Sequence, residues 1–430
     1  MTLPKRDYMA RPPLESTYAL WKKGYVFIDS TCRALGVKAF RTRLMMRPAI
    51  CMQGEAAARL FYDNEKFMRA GAMPARAKKT LVGEGGVQGM DGHAHRHRKQ
   101  MFTRELMSPE RIEHLVCLHR GHWKEAIQAW KPGSEIVLFR EAQKLLCKSV
   151  CAWAGVPLTG HELDRRAREF GHMIDSGAKL GPHHWRGRWA RKSCERWLGQ
   201  LIEDIRHYGE QGQAGSILQS IAWHRDEHGQ RLPLQVAAVE LINILRPTVA
   251  IAQLAVFCAL ALHSFPACRQ KLQQGDEDYL GWFVLEVRRF YPFFPFLAAV
   301  VREDFRWQNL EFKRGQRVLL DIYGTHRDPA LWQDPAQFIP ERFKDWDGNS
   351  FGLIANGGAT YEYHHRCPGE WITIALMKAI TRMLVHEIEY TVPAQDLRLD
   401  LSRIPALPES GFIIQPVITP RYLEKKHANS

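Results

Sequence analysis

One cysteine stands in a context that favours a reactive thiolate. Cys367 is followed by Pro368 and Gly369, and a strongly apolar segment then continues to about Ile388. Because proline is favoured at the first position of a helix, the pattern predicts a helix from Pro368 with Cys367 as its N-cap. Unpaired N–H groups and the positive end of the helix dipole lower the pKa of a thiol there. We expect a metal ligand or a nucleophile; the alternative is a buried structural cysteine at a helix start.

An arginine and a proline interrupt the most apolar segment of the chain. Residues 235–263 contain only two charged side chains, Glu240 and Arg246, and Pro247 follows the second. A helix that is apolar on nearly all sides is buried, where a proline costs about 3 kcal/mol and an unpaired guanidinium costs several more. Two such penalties together indicate function. The alternative, a Glu240–Arg246 pair beside a simple bend, is disfavoured because residues six apart lie on different helix faces.

A histidine-rich segment offers a second candidate for chemistry. His93, His95 and His97 alternate along the chain, and a zinc-binding interaction protein built on them is one possible interpretation. However, no cysteine or carboxylate completes a ligand set nearby. A solvated, basic start of a helix is the better interpretation of the residues alone.

The elements that must position these residues are mainly helical. Helical spacing or long apolar runs cover much of 105–263, and 276–291 predicts another helix, which ends before Pro292. Residues 318–323 predict a strand, and a long loop from Thr325 to Arg366 leads to Cys367. We expect one domain over 1–430, mainly α, with a β-containing part at about 1–105, a helical core at about 106–390 and a small β portion made from both ends.

Composition narrows the class of protein further. The 430 residues carry a net charge of +14, yet no nucleic-acid-binding motif accompanies it, so we expect no nucleic-acid partner. Nine scattered cysteines argue against a disulfide framework and favour the cytoplasm. Residues 1–13 lack an apolar core, and the longest apolar run, 249–262, is too short to span a bilayer. We therefore expect a soluble protein with no integral membrane insertion.

Three motifs in the second half resemble those of the cytochrome P450 superfamily. Glu286 and Arg289 lie one turn apart, Pro340-Glu341-Arg342-Phe343 follows, and Cys367-Pro368-Gly369 comes last. The resemblance covers nearly the whole chain. It implies a mainly α haem-thiolate fold that binds haem b with Cys367 as the iron ligand. It also implies that Glu286, Arg289 and Arg342 form a buried structural network.

Two departures from the superfamily pattern point to one branch. The segment between Gly358 and Cys367 is longer than usual, and Arg246-Pro247 stands where an acid–alcohol pair normally relays protons. Both features resemble the bacterial fatty-acid peroxygenases. This implies a long-chain fatty acid as substrate, hydrogen peroxide as cosubstrate and no obligatory redox partner. The substrate carboxylate on Arg246 would then serve as the general acid and base, with hydroxylation at the α or β carbon.

The same resemblance implies roles for several other residues. Residues 83–89 do not match the glycine-rich fingerprint of dinucleotide-binding proteins, and they predict a flexible loop above a pocket. The resemblance implies that Gln88 in this loop is a catalytic and substrate-binding residue that favours hydroxylation. Val82, where relatives often have phenylalanine, and Phe293 would contact substrate, and Pro247 would act beside Arg246. The candidates for binding the haem propionates are Arg69, His95, Lys99 and Arg366.

Several alternatives stay open at this stage. The same oxidant could instead decarboxylate fatty acids to terminal alkenes. A conventional monooxygenase would take electrons from a redox partner and could use Thr248 as its relay hydroxyl. A haem sensor or carrier would bind haem without turnover.

Overall fold

The computed structural model describes residues 14–177, 181–209 and 215–417; the predicted lack of a leader within 1–13 concerns residues outside these ranges. The helices of the described residues, in chain order, are α1 (Thr17–Lys23), α2 (Phe27–Leu35), α3 (Glu55–Phe61), α4 (Ala75–Ala77), α5 (Gly92–Leu106), α6 (Pro109–Ala129), α7 (Leu138–Ala154), α8 (Gly160–Asp175), α9 (Pro182–Tyr208), α10 (Ile217–Ala222), α11 (Leu234–Ser264), α12 (Pro266–Gln273), α13 (Glu277–Phe290), α14 (Ile322–Thr325) and α15 (Glu370–His386). Short 3-10 turns cover Gly24–Val26, Val87–Gly89 and Pro340–Phe343, and a π-helical turn covers Lys78–Val82.

The strands form three small sheets. In chain order they are β1 (Ala39–Leu44), β2 (Arg47–Met52), β3 (Phe67–Met68), β4 (Ile136–Val137), β5 (Phe296–Val301), β6 (Phe305–Trp307), β7 (Leu310–Phe312), β8 (Arg317–Asp321), β9 (Tyr390–Thr391) and β10 (Ile413–Pro416). The largest sheet has the order β1-β2-β8-β5-β3, in which only β2 and β8 are parallel. It joins strands from residues 39–68 with strands from residues 296–321, so the β part extends beyond 1–105. The division at about residue 105 remains a prediction.

Helix α11 forms the centre of the main hydrophobic core and packs against α7, α9 and α15. It is the one described helix long and apolar enough to cross a membrane, but 94% of its apolar window is buried inside the protein. It is therefore a core helix of this fold, in agreement with its apolar pattern. The helix continues through Pro247, and the predicted helix 276–291 is also confirmed, as α13 with Asp276 as its N-cap.

The helix after Cys367 begins later than predicted. The N-cap of α15 is Gly369, not Cys367. The reason is a non-local contact: the N–H of Cys367 donates to the carbonyl of Asn356 at 2.9 Å, which holds Cys367 in the preceding loop. Pro368 and Gly369 then form a turn in which the Glu370 N–H donates to the Cys367 carbonyl at 3.3 Å. The strand predicted at 318–323 is likewise shifted, to Arg317–Asp321, because α14 begins at Ile322.

Candidate active site

A cavity lies between the middle of α11 and the loop that precedes α15. The cavity has a volume of about 310 Å³. Its walls are mostly apolar and include Phe102, Ile251 and Leu297. The predicted site residues on its lining are Val82, Gln88, His95, Lys99, Arg246, Pro247, Phe293, Arg366 and Cys367. The fold thus brings together every predicted site residue except Arg69. An apolar cavity with a few convergent polar groups is the usual form of a ligand site.

Cys367 lies where the cavity meets the start of α15. Burial raises the pKa of its thiol, and this outweighs the N–H of Gly369 and the charge of Lys99, both of which lower it. The lowered pKa expected for an N-cap cysteine is therefore wrong for the thiol, because Cys367 lies before the cap and its side chain is partly buried. A metal that binds this sulfur must displace its proton, so a metal-bound thiolate remains chemically consistent with the site.

Arg246 is buried, and no described residue neutralises it. Its side chain is 6% exposed, and its Nε atom has no hydrogen-bond partner. Burial lowers its pKa to about 9, with neighbouring Arg191 as a second cause. The predicted alternative, a pair with Glu240, does not form among the described residues, because Glu240 accepts from Arg98 at 2.9 Å instead. Arg246 is therefore a cation that faces the cavity and has no internal counter-ion in the described chain.

Glu240 connects three elements around the cavity. Besides the guanidinium of Arg98 on α5, its carboxylate accepts the N–H of Val87 at 2.9 Å and the side-chain amide of Asn243 at 3.1 Å. Burial raises the pKa of Glu240, while Arg98 acts against this. Asn243 also donates to Oε1 of Gln88 at 3.1 Å. Glu240 and Asn243 therefore fix both the loop that carries Gln88 and the orientation of its carboxamide.

Sequence reasoning missed Asn243 and Arg98 as members of this cluster. Asn243 was detectable in principle, since it is a polar residue one helical turn from Glu240 in a segment that is otherwise apolar. Arg98 was not, because 142 positions separate it from Glu240.

The four predicted propionate ligands differ in their surroundings. His95 is buried and stacks on His365 with ring centroids 3.9 Å apart, while Lys99 donates to the carbonyls of His364 and, at 2.7 Å, Arg366. Both side chains lie on α5. Burial lowers the pKa of His95 to about 3 and of Lys99 to about 8. Both side chains line the cavity, where Lys99 supplies a cation and His95 an uncharged imidazole that can form hydrogen bonds.

Arg366 and Arg69 have other partners. Arg366 lines the cavity, but its guanidinium donates to Glu370 at 2.8 Å and to the carbonyl of Ala359 at 3.1 Å. Arg69 lies outside the lining, over the ring of Phe61 at 4.1 Å. Neither arrangement favours a propionate contact as directly as those of His95 and Lys99.

Two buried ion networks hold the loop before Cys367. Arg289 makes a bidentate pair with Glu286, with distances of 2.6 and 2.7 Å, and Arg342 reaches the same carboxylate at 3.3 Å, as the motifs predict. A second network, which the sequence did not reveal, centres on Glu370, whose carboxylate accepts from Arg288, Arg366 and Tyr361. Paired and hydrogen-bonded, these charges can stay buried and give the loop one conformation.

The residues present fit a haem. Cys367 supplies one sulfur ligand in an apolar cavity, as a haem-thiolate requires. The ammonium group of Lys99 and an imidazole N–H of His95 can bind two carboxylates that would otherwise be costly to bury. Within the described ranges, by contrast, no group of three or more histidine, cysteine, aspartate or glutamate side chains could hold a metal ion. The zinc-binding alternative therefore has no support in this part of the chain.

Comparisons with known proteins agree with this site. The family model named Cytochrome P450 matches residues 272–414. The structure of P450SP alpha (CYP152B1) with (R)-ibuprofen is 45% identical, with a TM-score of 0.91, and the match covers 93% of this chain and 98% of that one. P450EX alpha (CYP152N1) with myristic acid is 42% identical with the same TM-score, over 94% of this chain and 98% of that one.

More distant relatives lie within the same family. A variant of OleT in complex with arachidonic acid is 33% identical with a TM-score of 0.91, over 96% of this chain and all of that one. Cytochrome P450 26B1 of Xenopus tropicalis is 22% identical over 418 residues, which cover 88% of this chain and 80% of that protein. The identities, the near-complete coverage and the cysteine at the cavity lead to one assignment: this chain belongs to the cytochrome P450 family and, within it, to the CYP152 branch of bacterial fatty-acid peroxygenases.

Proposed function

We propose that this chain hydroxylates long-chain fatty acids at the α or β carbon with hydrogen peroxide as the oxidant. The observation that carries the proposal is the buried guanidinium of Arg246, which lines the same cavity as Cys367 and has no counter-ion among the described residues. A carboxylate is the ligand that such a group lacks. Myristic acid, arachidonic acid and ibuprofen, present in the three related structures, are all carboxylic acids.

The cofactor in this proposal is haem b, with its iron held by the thiolate of Cys367. When bound, it supplies the activation of hydrogen peroxide and the transfer of one oxygen atom to a C–H bond, while the other oxygen leaves as water. His95 and Lys99 are the side chains best situated for its propionates. Arg366 is a weaker candidate because its guanidinium is paired with Glu370, and Arg69 is weaker because it lies outside the cavity lining.

Arg246 would bind the substrate carboxylate and hold it close to the oxidant. The central helix carries no acid–alcohol pair, and its acid, Glu240, is occupied by Arg98 and Val87. The substrate carboxylate would therefore act as the general base and acid that moves a proton from one peroxide oxygen to the other. A carboxylate fixed by Arg246 also leaves only its nearest carbons, α and β, within reach of the reaction.

The alkyl chain would provide most of the affinity. Burial of ten methylene groups contributes about 8 kcal/mol at about 0.8 kcal/mol each. A contact at about 4 Å between Arg246 and the carboxylate has about 4 kcal/mol of Coulomb energy at an effective dielectric near 20, before desolvation is subtracted. The apolar walls therefore bind, and Arg246 selects the orientation. Val82 and Phe293, both on the lining, would contact the chain.

The orientation of Gln88 favours hydroxylation over decarboxylation to an alkene. Asn243 donates to Oε1 of Gln88, which leaves the NH₂ group of Gln88 as the end available to the cavity. Unlike an imidazole, an amide has no titratable proton near neutral pH. Gln88 would therefore order water or peroxide without acting as an acid or a base.

A conventional monooxygenase is the second candidate, with Thr248 as its relay. The Thr248 hydroxyl lines the cavity but donates to the carbonyl of Ile244 at 2.9 Å, within its own helix. This contact and the unpaired Arg246 favour the peroxide-dependent reaction. A haem sensor or carrier would have no use for the unpaired cation. The cytoplasm is the compartment we propose, since none of the nine cysteines forms a disulfide.

One experiment tests the proposal directly. Purified protein loaded with haem is mixed with myristic acid and hydrogen peroxide, without a reductase, and the products are identified by mass spectrometry. We expect 2- and 3-hydroxymyristic acid, and catalase should abolish them. Oxidation that requires NAD(P)H and electron-transfer proteins and resists catalase would contradict the proposal, and a predominance of the one-carbon-shorter terminal alkene would favour decarboxylation.

A further inference from the structure

The β1–β2 hairpin has an unusual tip. Met45 and Met46 occupy it with φ of 53° and 62°, and their side chains are 61% and 69% exposed. Two successive residues with positive φ form the kind of turn that Asn-Gly favours, because larger side chains are strained there. Two exposed apolar residues at strained positions bring no benefit to the packing of the fold. Backbone strain of this kind concentrates at functional positions.

Helix α1 lies beside this tip and adds more exposed apolar side chains. The N–H of Arg43 in β1 donates to the carbonyl of Leu14 at 3.0 Å, and the N–H of Met45 donates to the Thr17 hydroxyl. Leu14 is 89% exposed. The rings of Tyr18 and Trp21 lie beside each other at a tilt of 40°, with centroids 5.9 Å apart, and the two residues are 65% and 68% exposed. We call Leu14, Tyr18, Trp21, Met45 and Met46 the apolar tip. Met45 and Met46 lie on the turn, Tyr18 and Trp21 lie on α1, and Leu14 lies just before that helix.

A basic groove adjoins the apolar tip. Strand β2 starts at Arg47, directly after Met46, and Arg47 lines a second cavity between β1, β2 and the β7–β8 connection. The charged residues of this groove are Arg41, Arg47, Lys313, Arg314, Arg317 and Glu311. Five cations thus face one carboxylate, and Asp304 beside the groove accepts from Lys313 at 3.1 Å. The Nε atom of Arg317 is buried without a partner. The groove is therefore suited to bind phosphate groups.

We propose that the apolar tip and the basic groove together form a docking surface for an anionic phospholipid bilayer. Trp and Tyr prefer the interface between lipid and water, and flexible methionines on a protruding turn can enter the acyl region. The groove would bind lipid phosphates, and each cation near an anionic surface strengthens binding about fivefold. Protruding apolar side chains fit a soft, deformable surface better than the flat, preformed face of an acidic protein. The net charge of +14 acts in the same direction.

Vesicle sedimentation of the full-length, haem-loaded protein tests this proposal. The probes are vesicles of phosphatidylcholine alone and vesicles in which phosphatidylglycerol replaces part of it. We expect the anionic vesicles to bind the protein at least about tenfold more strongly, and added salt to weaken that binding. Equal binding to both kinds of vesicle, or no binding to either, overturns the proposal. No binding to either is also the result expected if this surface binds an acidic protein instead of a membrane.

Paired variants separate this surface from general stickiness. Met45→Asn with Met46→Gly replaces the two turn residues of the apolar tip by the pair that this type of turn prefers, so the hairpin should fold at least as well. It should lower binding to anionic vesicles at least about fivefold, as should Trp21→Ser. Tyr208→Ser, at a position 64% exposed on α9, is the matched control and should have no effect. If the hairpin variant binds like the wild type, the proposal fails.

A second pair of variants tests the groove. Arg47→Gln with Arg314→Gln should weaken binding to anionic vesicles more than tenfold, at about fivefold for each cation. Arg120→Gln with Lys124→Gln removes the same charge from exposed positions on α6 and should have little effect. Equal losses from both pairs would mean that net charge alone governs binding, which contradicts a specific surface. Because vesicle binding needs no turnover, these results are independent of the proposed oxidation.

Discussion

The side-chain amide of Asn243 donates one hydrogen bond to Oε1 of Gln88 and another to Oε2 of Glu240, each at 3.1 Å. A carboxylate can only accept, so Asn243 has one possible amide orientation, and that orientation in turn dictates which end of Gln88 faces the cavity. Glu240, which does not line the cavity, thereby positions Gln88, which does.

Asn243→Leu should disturb the reaction without removing a predicted ligand. The carboxamide of Gln88 would lose its partner and could rotate, which costs about 1 kcal/mol of positioning, or roughly a fivefold change in the ratio of α- to β-hydroxylated product. The ratio is measured with myristic acid by gas chromatography and mass spectrometry. Haem content should stay normal, because Glu240 keeps Arg98. An unchanged ratio would show that Asn243 does not position Gln88.

Gln88→His should introduce decarboxylation. An imidazole at this position can take up and release a proton near neutral pH, whereas the carboxamide cannot. We expect the variant to release some terminal alkene from myristic acid, detected in the headspace or an organic extract, beside the hydroxy acids. The wild-type protein and Asn243→Leu serve as controls. If Gln88→His forms no alkene at all, Gln88 does not determine the outcome of the reaction.

Arg246→Ala should lower the rate of peroxide-driven fatty-acid oxidation at least about a hundredfold. This follows if two charged hydrogen bonds of about 1.5 kcal/mol each are lost. Haem should remain bound, as judged by the absorption band of the ferrous–CO complex. Arg246→Lys retains the charge but not the bidentate geometry and should keep intermediate activity. Turnover close to wild type in Arg246→Ala would contradict the role of the substrate carboxylate.

Arg246→Met should make the substrate-free protein more stable while inactivating it. The guanidinium is buried without a partner for Nε, and replacing an uncompensated buried charge by an apolar side chain of similar length gains about 1 to 4 kcal/mol. Thermal unfolding measures this gain. Myristic acid should raise the melting temperature of the wild type and have little effect on the variant. A less stable Arg246→Met protein would indicate an internal partner for Arg246.

Glu286→Gln should strongly destabilise the fold. Glu286 and Arg289 are both fully buried, and the change leaves Arg289 and Arg342 without their anion, a loss of about 3 to 5 kcal/mol. Glu277→Gln is the matched control: its pair with Arg382 is exposed and should contribute less than about 1 kcal/mol. Chemical denaturation of both variants gives the comparison. Similar free energies of unfolding for the two would contradict a structural role for the buried pair.

Local patterns in the sequence were enough to find much of the site. Glu286 and Arg289 are one helical turn apart, and Arg246 stands out because its helix is otherwise apolar, so each could be recognised from its neighbours along the chain. The long loop from Thr325 to Arg366 could also be recognised from the sequence as the segment that leads to Cys367. In these cases the relevant physics, helical periodicity and the cost of burying charge, acts over a few residues.

Contacts between distant segments decided the features that were missed. The carbonyl of Asn356 accepts the N–H of Cys367 and delays the start of α15. Burial by the surrounding segments raises the pKa of the cysteine, which a pattern along the chain could not reveal. The exclusion of Arg69 from the cavity follows from its position over Phe61. The spacing of residues along the sequence does not predict these contacts, because the packing of helices and sheets determines them.

The hydrogen bonds of Glu240 to Arg98 and Val87 affect how ligand binding to Arg246 should be measured. With the acid of the central helix already occupied, Arg246 will attract whatever small anion the solution provides, and acetate, formate or chloride would each compete with the head group of a fatty acid. Dissociation constants measured in different buffer salts should therefore disagree for the same ligand. Titrations in a buffer composed of large cations and bulky, poorly binding anions would report the intrinsic affinity.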